Sequence, residues 1–489
     1  MVGVPRSGAP PCPGEDITGG GGKHLVMRVI HVSLLAAVLL LVPGRLGAAP
    51  PRQLTVDVLV VGGTPAGIAA ASGAARAGAR VHIVEARPKV GGPITWAWLT
   101  TFDMNLSPEG IQLTRGVFSD YYKLLGLSFD LDEAIHKLTW AVYREVLVNI
   151  TEHAPLIRPL MEGGRIVGAE FTDTTWDRVL TVRARVVIDA TDDADLAVAA
   201  GARYVMGRDG PRGERWMQPA TLIFRVEGVN WDTITRVLME RRVANPARWG
   251  INGKAAWGFW DEMQTGYKPG QPDAGVLGLN LALQHDGSVL INTLQIFGVD
   301  GTSQVSVADG LAKGQRELPR LVSFLRERIP GFENARLGGH APELYVRETR
   351  HIEGFYTMTV RDILLRRQFA DRVAVASYPI DIHPYRPDWS NPYAPVRHVY
   401  TVPFRSLVPT GVAGLLVASR SFSATSDAAG SARVIPTTMA MGHAAGVAAA
   451  ICAKDRCLPE DIARSPALLR RLQQILVAQG AYLGPGPIP

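Results

Sequence analysis

The feature that most constrains this chain is a β-branched, apolar run that stops at a glycine turn and opens straight into an alanine-rich stretch. Val56-Asp57-Val58-Leu59-Val60-Val61 is followed by Gly62-Gly63-Thr64-Pro65-Ala66-Gly67 and then by residues 68–79. The run reads as a strand buried on both faces and the alanine-rich stretch as a helix. Gly62 permits a tight turn, and Gly67 with the small residues behind it lets the helix lie close to the sheet. The start of such a helix offers N–H groups and a positive dipole end to a pyrophosphate. A second strand, Arg80-Val81-His82-Ile83-Val84, ends at Glu85, where a carboxylate can hydrogen-bond a ribose diol. Ala86, Arg87, Gly91 and Gly92 follow at once. The expected dinucleotide contacts are therefore Gly62, Gly63, Thr64, Pro65, Ala66, Gly67, Glu85, Ala86, Arg87, Gly91 and Gly92. Thr64 stands where glycine is usual, placing a Cβ where backbone normally approaches phosphate.

A chain of 489 residues exceeds one ordinary core and fits two or three domains. Its 51 Lys+Arg against 45 Asp+Glu are spread along the sequence, so the surplus is not the footprint of a nucleic-acid binder, though it suits an anionic substrate. Three cysteines, Cys12, Cys452 and Cys457, cannot supply the four thiolates of a cubane iron–sulfur cluster. No metal site is expected. Cys452 and Cys457 can pair in an oxidising compartment if a helix ends between them, or remain two free thiols.

Residues 1–26 are an upstream extension rich in Gly and Pro without apolar periodicity, expected to be disordered. Residues 27–49 have the layout of a secretory signal: Arg28, an apolar run over 32–42, then Leu46-Gly47-Ala48-Ala49 for cleavage. The apolar run is far short of the roughly 20 residues of a spanning helix. The expectation is a secreted or extracytoplasmic protein with no stable span after cleavage.

Further along, Arg165-Ile166-Val167-Gly168-Ala169-Glu170-Phe171 and residues 179–187 read as strands of a β-meander. The second enters Ile188-Asp189-Ala190-Thr191-Asp192-Asp193. This segment resembles the second cofactor-contacting stretch of glutathione-reductase-type FAD proteins, with Asp192 in place of the usual glycine, and it adds Asp189, Ala190 and Thr191 to the expected contacts. Four more motifs follow in order. They are Arg347-Glu348-Thr349-Arg350-His351-Ile352-Glu353-Gly354, Tyr378-Pro379-Ile380-Asp381-Ile382-His383, Val402-Pro403-Phe404-Arg405-Ser406-Leu407, and Leu415-Leu416-Val417-Ala418-Ser419-Arg420-Ser421-Phe422-Ser423-Ala424. Over residues 56–453 the succession resembles the FAD-dependent oxidoreductase family. Its secreted branch shares the Gly-Gly-Thr-Pro-Ala-Gly turn, some members carry a xanthan lyase label, and it shades into the flavin subunit of heterodisulfide reductases. The resemblance implies FAD as cofactor, with Ser419 and Arg420 along the ribityl and phosphate. It also implies a helix after Pro436 that aims its N-terminus at the flavin and carries His443 and Ala445 nearby.

The implied fold is α/β, a Rossmann-like FAD-binding domain (residues 54–220 and 345–455) with an inserted mixed α+β substrate domain (221–344) and a tail (456–489). Within the insertion, residues 221–226 and 289–296 read as strands, and 231–241 and 309–328 as helices. Arg347, Arg350 and Arg405 are the guanidiniums expected to hold an anionic group. His351 and His383 are the candidate proton carriers, and Asp381 and His383 share one face of an extended segment. The expected reaction is hydride transfer between a small organic substrate and flavin N5, with the electron acceptor open. A polysaccharide-lyase-associated protein and a non-catalytic electron relay are the alternatives, and neither has a sequence feature of its own.

Overall fold

The computed structural model describes residues 49–209, 214–244, 248–386 and 389–485, so the signal-like stretch lies outside the described residues apart from Ala49. Strand β1 (Arg52–Val61) runs into helix α1 (Pro65–Arg76) and returns through β2 (Val81–Val84), with Val58 opposite Val81 in parallel register. β3 (Val148–Thr151), β4 (Leu156–Glu162), β5 (Arg165–Asp173) and β6 (Arg178–Asp189) complete most of a seven-stranded sheet in the order β3-β2-β1-β6-β5-β4. β6 pairs in parallel with β1 along one edge and divides its other edge between two ladders. Its first half pairs antiparallel with β5 in the meander, while Val187, Ile188 and Asp189 pair in parallel with a short strand, Leu415–Val417. That fork brings residues separated by more than two hundred positions to the same carboxyl edge.

The helix Ile435–Asp455 packs against α1. Gly442 and Gly446 face the carbonyls of Ala66 and Ala70 so closely that a Cβ on either would collide with them. By length and composition this helix could cross a membrane, but 94% of its apolar window is buried inside the protein, which makes it a core helix. It ends at Asp455 with Arg456 in the left-handed region, and the N–H groups of Arg456 and Cys457 both return to the Cys452 carbonyl. Such a helix end brings the helical residue four positions before the left-handed one against the residue after it. The Cys452 and Cys457 sulfurs lie 3.4 Å apart as free thiols.

Residues between the two halves of this sheet build a second, antiparallel sheet with its own core. In spatial order its strands are Gly250–Asn252, Ala255–Gly258, Ala274–Leu283, Val289–Ile296, Phe224–Glu227 and Arg336–His340, with Ala220–Thr221 also paired to Val289–Ile296. The run expected as one strand over 221–226 is broken at Leu222 and Ile223. The Leu222 N–H bonds to Leu294, and Ala341 bonds to the Ile223 carbonyl, so the chain shifts between neighbours there. The helix expected over 309–328 starts earlier, as Gln304–Arg328, because the Ser303 side chain caps it by accepting from Ser306. Trp257 covers Gly250, and Phe259 is fully buried beside Trp249, so the aromatics of that loop pack the insertion.

Candidate active site

At the carboxyl edge of β1, β2 and β6 lies a cleft of about 580 Å³ whose floor includes Gly62, Thr64, Glu85, Arg87, Thr191 and Asp192. Gly62 has a φ of +98°, and a Cβ there would sit 2.6 Å from the Ala190 carbonyl oxygen, so both the turn and the crossing to β6 require glycine. Gly67 is equally constrained, because a Cβ would run into the Gly62 carbonyl oxygen. Thr64 resolves the question its position raised. Its hydroxyl donates to the Ala190 carbonyl at 2.8 Å and accepts from the Gly67 N–H at 3.2 Å, so the side chain caps α1 and ties the turn to β6. Gly91 and Gly92 fold over the same turn: the Gly91 N–H donates to Gly63, and Gly92 lies against the Thr64 Cα.

Glu85 is buried and accepts from the N–H groups of Gly63 (2.6 Å) and Arg87 (2.8 Å), and burial pushes its carboxyl upward. Arg87 reaches across to Glu343 of the second sheet region at 2.9 Å, with Glu85 at 3.5 Å behind it. Asp189, expected as a cofactor contact, is turned inward. Its carboxylate accepts from the Thr191 N–H and hydroxyl and from the Ala197 N–H, which holds the turn after β6. Ala190 is likewise covered by Gly62 and Thr64. Of this trio only Thr191 reaches the cleft.

A second cavity continues from the first, sharing Thr64, Pro93, Asp192, Tyr345, Val346 and Arg420, and adding Pro65, Ala66, Arg347, Ser419, Arg433, Ile435 and Thr438. The starts of two long helices and the Ser419-Arg420 segment therefore meet at one place. Arg420 is held by Asp193 (2.6 Å) and Asp192 (3.5 Å), yet its buried Nε has no hydrogen-bond partner among the described residues. A long two-part cleft over a glycine turn, with an unsatisfied guanidinium at the junction, fits an extended dinucleotide.

On its far side the cavity is lined by Tyr345, Arg347 and Arg433, with a layer of buried ionisable groups behind them. Arg347 Nη1 donates to the Pro219 carbonyl at 2.9 Å and the Thr221 hydroxyl at 2.7 Å, and its guanidinium lies 4.7 Å from the centre of the Tyr345 ring. Burial first, and then neighbouring Arg433, lower its pKa to about 10. Arg433 donates to the Tyr345 hydroxyl at 3.1 Å and pairs with Asp381 at 3.4 Å. His383 Nε2 faces Asp381 at 3.3 Å, Gln295 contacts its Nδ1 at 2.6 Å, and its backbone N–H donates to Gln218. Burial, followed by the Arg347 charge, lowers the His383 pKa to about 4. Tyr378 donates to Asp103 at 2.9 Å, and desolvation followed by the Asp381 charge raises the Asp103 pKa.

Several expected site residues stand elsewhere. Arg405 is locked to Asp371 (2.8 Å) against Tyr356, Arg350 pairs with Asp195 (2.7 Å), and His351 bonds to the buried Glu348 (3.1 Å). His443 points at Gly73, Gly116 and Gln479, because Gly73 in α1 leaves room for its ring, and Ala445 is buried in the helix core. None of these five lines either cavity. Of the proposed catalytic set Arg347 lines a cavity, and His383, which lines neither, lies behind it against Asp381 and Gln295. Arg433, Tyr345, Asp103 and Gln218 were not foreseen; Arg433 and Tyr345 flank motifs that were recognised, but nothing periodic marks them.

Comparison with known proteins finds a family match and several similar chains. The profile of the family described as FAD dependent oxidoreductase matches residues 57–476. A thiamine thiazole synthase from Desulfosudis oleivorans is 31% identical over 170 residues, which is 32% of this chain and 63% of that protein, so the chain spans under two thirds of its relative's length. Among solved structures, a geranylgeranyl bacteriochlorophyll reductase-like protein from Thermoplasma acidophilum aligns at 14% identity with a TM-score of 0.43, covering 88% of this chain and 85% of that one. The myxobacterial chondrochloren halogenase aligns at 16% identity with a TM-score of 0.42, covering 88% and 84%.

Proposed function

Given that the chain belongs to the FAD-dependent oxidoreductase family, we propose that it oxidises or reduces a small anionic organic molecule in the cavity between Thr64 and Arg347. The observation that carries this reading is the continuity of the main-chain cleft with a wall of buried ionisable groups. Bound FAD would supply two-electron chemistry at flavin N5, held by the Gly62–Gly67 turn, Glu85, Thr191, Ser419 and Arg420. The chain's own residues position and desolvate the substrate. Arg347 holds its anionic group, and the neutral His383 ring, oriented by Asp381 and Gln295, takes or returns the proton at the reacting carbon or its heteroatom.

The apolar run after Arg28 supports export from the cytoplasm. Sequencing the N-terminus of the mature protein tests this, and an intact Met1 or Met27 would refute it. The redox reading is tested by anaerobic bleaching of the holoprotein with hydroxy acids, unsaturated acids and neutral sugars. At least one acid should bleach the flavin. Reduction by a partner protein but by none of these molecules would instead show an electron relay.

A further inference from the structure

We infer that the substrate's anionic group is a monocarboxylate, gripped jointly by Arg347 and Arg433 and aligned by Tyr345 and Gln218; this rests on the redox reading above. What decides is which guanidinium at the wall of the cavity lacks a carboxylate in contact. Arg420 is neutralised by Asp192 and Asp193, and Arg433 by Asp381. Arg347, only 3% exposed, touches neutral acceptors alone, namely Pro219, Thr221 and, at 3.5 Å, Asn292. Among the described residues no carboxylate lies within ion-pairing distance of it. A buried charge left unpaired is costly, and a protein keeps one where a ligand completes it.

The free hydrogen-bond donors point the same way. Arg433 Nε and Gln218 Nε2 are both buried without a partner among the described residues. The two side chains are in contact, since Arg433 Nη2 reaches the Gln218 carbonyl oxygen at 3.5 Å. Arg347 has used Nη1 twice and Nη2 only weakly. A two-oxygen acceptor at Arg347 Nη2 would also lie beside Arg433, whose guanidinium lines the same cavity, and a carboxylate is the small anion whose two oxygens can be shared between guanidinium groups.

Charge also selects between anions. One negative charge balances Arg347. A phosphate, carrying about −1.5 to −2 at neutral pH, would leave excess negative charge beside Asp381 and Asp103. The wall is therefore suited to a carboxylate and biased against phosphate esters.

The test is spectroscopic. The FAD-loaded protein is titrated anaerobically with acetate and benzoate, with acetamide and benzamide as neutral matches, and with inorganic phosphate, following the visible flavin spectrum. The acids should perturb the spectrum saturably, while the amides and phosphate should not. Arg433→Met should weaken benzoate by about tenfold to a hundredfold, the range for losing one hydrogen bond between charged groups, and Arg347→Met by at least as much. Arg405→Met, whose guanidinium is engaged by Asp371, should leave the affinity unchanged. If Arg347→Met does not fold, Gln218→Leu and Arg433→Met still decide the outcome. Equal response to acids and amides, tighter binding of phosphate, no response to either acid, or unaltered affinity in the wall variants would overturn the inference. A shifted flavin reduction potential in Arg433→Met with benzoate affinity intact would assign the arginines to the cofactor. Failure to bind FAD at all would sink the redox reading instead, and calorimetry of acetate binding to the apoprotein would then decide the carboxylate subsite by itself.

Discussion

The floor and the far wall of the cleft are made in opposite ways. The floor is built around main chain: the glycine turn, its capping threonine and the start of α1 lie close together in sequence and are fixed by sterics, with Glu85, Arg87, Thr191 and Asp192 at its border. The wall is side chains: Tyr345, Arg347 and Arg433 at the cavity, backed by Asp381, His383 and Gln218, drawn from four separate segments and fixed by charge and burial. Contacts set by backbone geometry tolerate almost no substitution, and they write themselves into the sequence as glycine spacing. Contacts set by side-chain electrostatics can be altered one at a time, and they leave no spacing to read.

The largest expected effect is therefore on the floor. Gly67→Ala forces a Cβ into the Gly62 carbonyl oxygen, so it should lose FAD and cost about 1–3 kcal/mol or more, as overpacking does. Cofactor content and thermal melting would measure this; full FAD occupancy and an unchanged melting temperature would break the contrast between floor and wall.

On the wall the expected signature is in pH. The folded pKa of His383 is lowered to about 4, below its unfolded value near 6.5, so the unfolded chain binds more protons between those values. This group's contribution is intact above about pH 6.5 and is lost as pH falls toward 4. Wild type should lose stability relative to His383→Asn across that window, and Arg347→Met should move the imidazole pKa upward by removing a neighbouring cation. Melting curves against pH and imidazole NMR titration would check both; a pKa indifferent to Arg347 would detach the histidine from the wall.

Smaller effects separate the floor from an ion pair outside both cavities. Thr64→Val removes the cap on α1 and should cost about 1 kcal/mol while FAD still binds, because the hydroxyl serves the turn and not the phosphate. Arg405→Met, at a partly exposed ion pair, should cost no more than about 1 kcal/mol. Denaturant titration would order the two.

How much was legible follows the same division. The βαβ unit and the meander were readable because strands buried on both faces and alanine-rich helices leave local patterns, whereas the pairing of β6 with Leu415–Val417 leaves none. Helix starts were less so: the helix at Gln304–Arg328 begins where Ser303 caps it, ahead of the first apolar periodicity. Among the site residues, neighbours in a motif were expected to be neighbours in the site, and the structure separates them. Arg347 faces the cavity, but Arg350 and His351, a few positions on, enter the short strand Arg350–Ile352 and take partners elsewhere. Arg433 and Gln218 were missed because only the tertiary fold brings them to Asp381 and His383.

The most direct test of the central claim is the visible spectrum of purified protein after reconstitution with FAD. The account predicts a yellow protein holding one FAD per chain, its spectrum perturbed by benzoate. A colourless protein after reconstitution would contradict it.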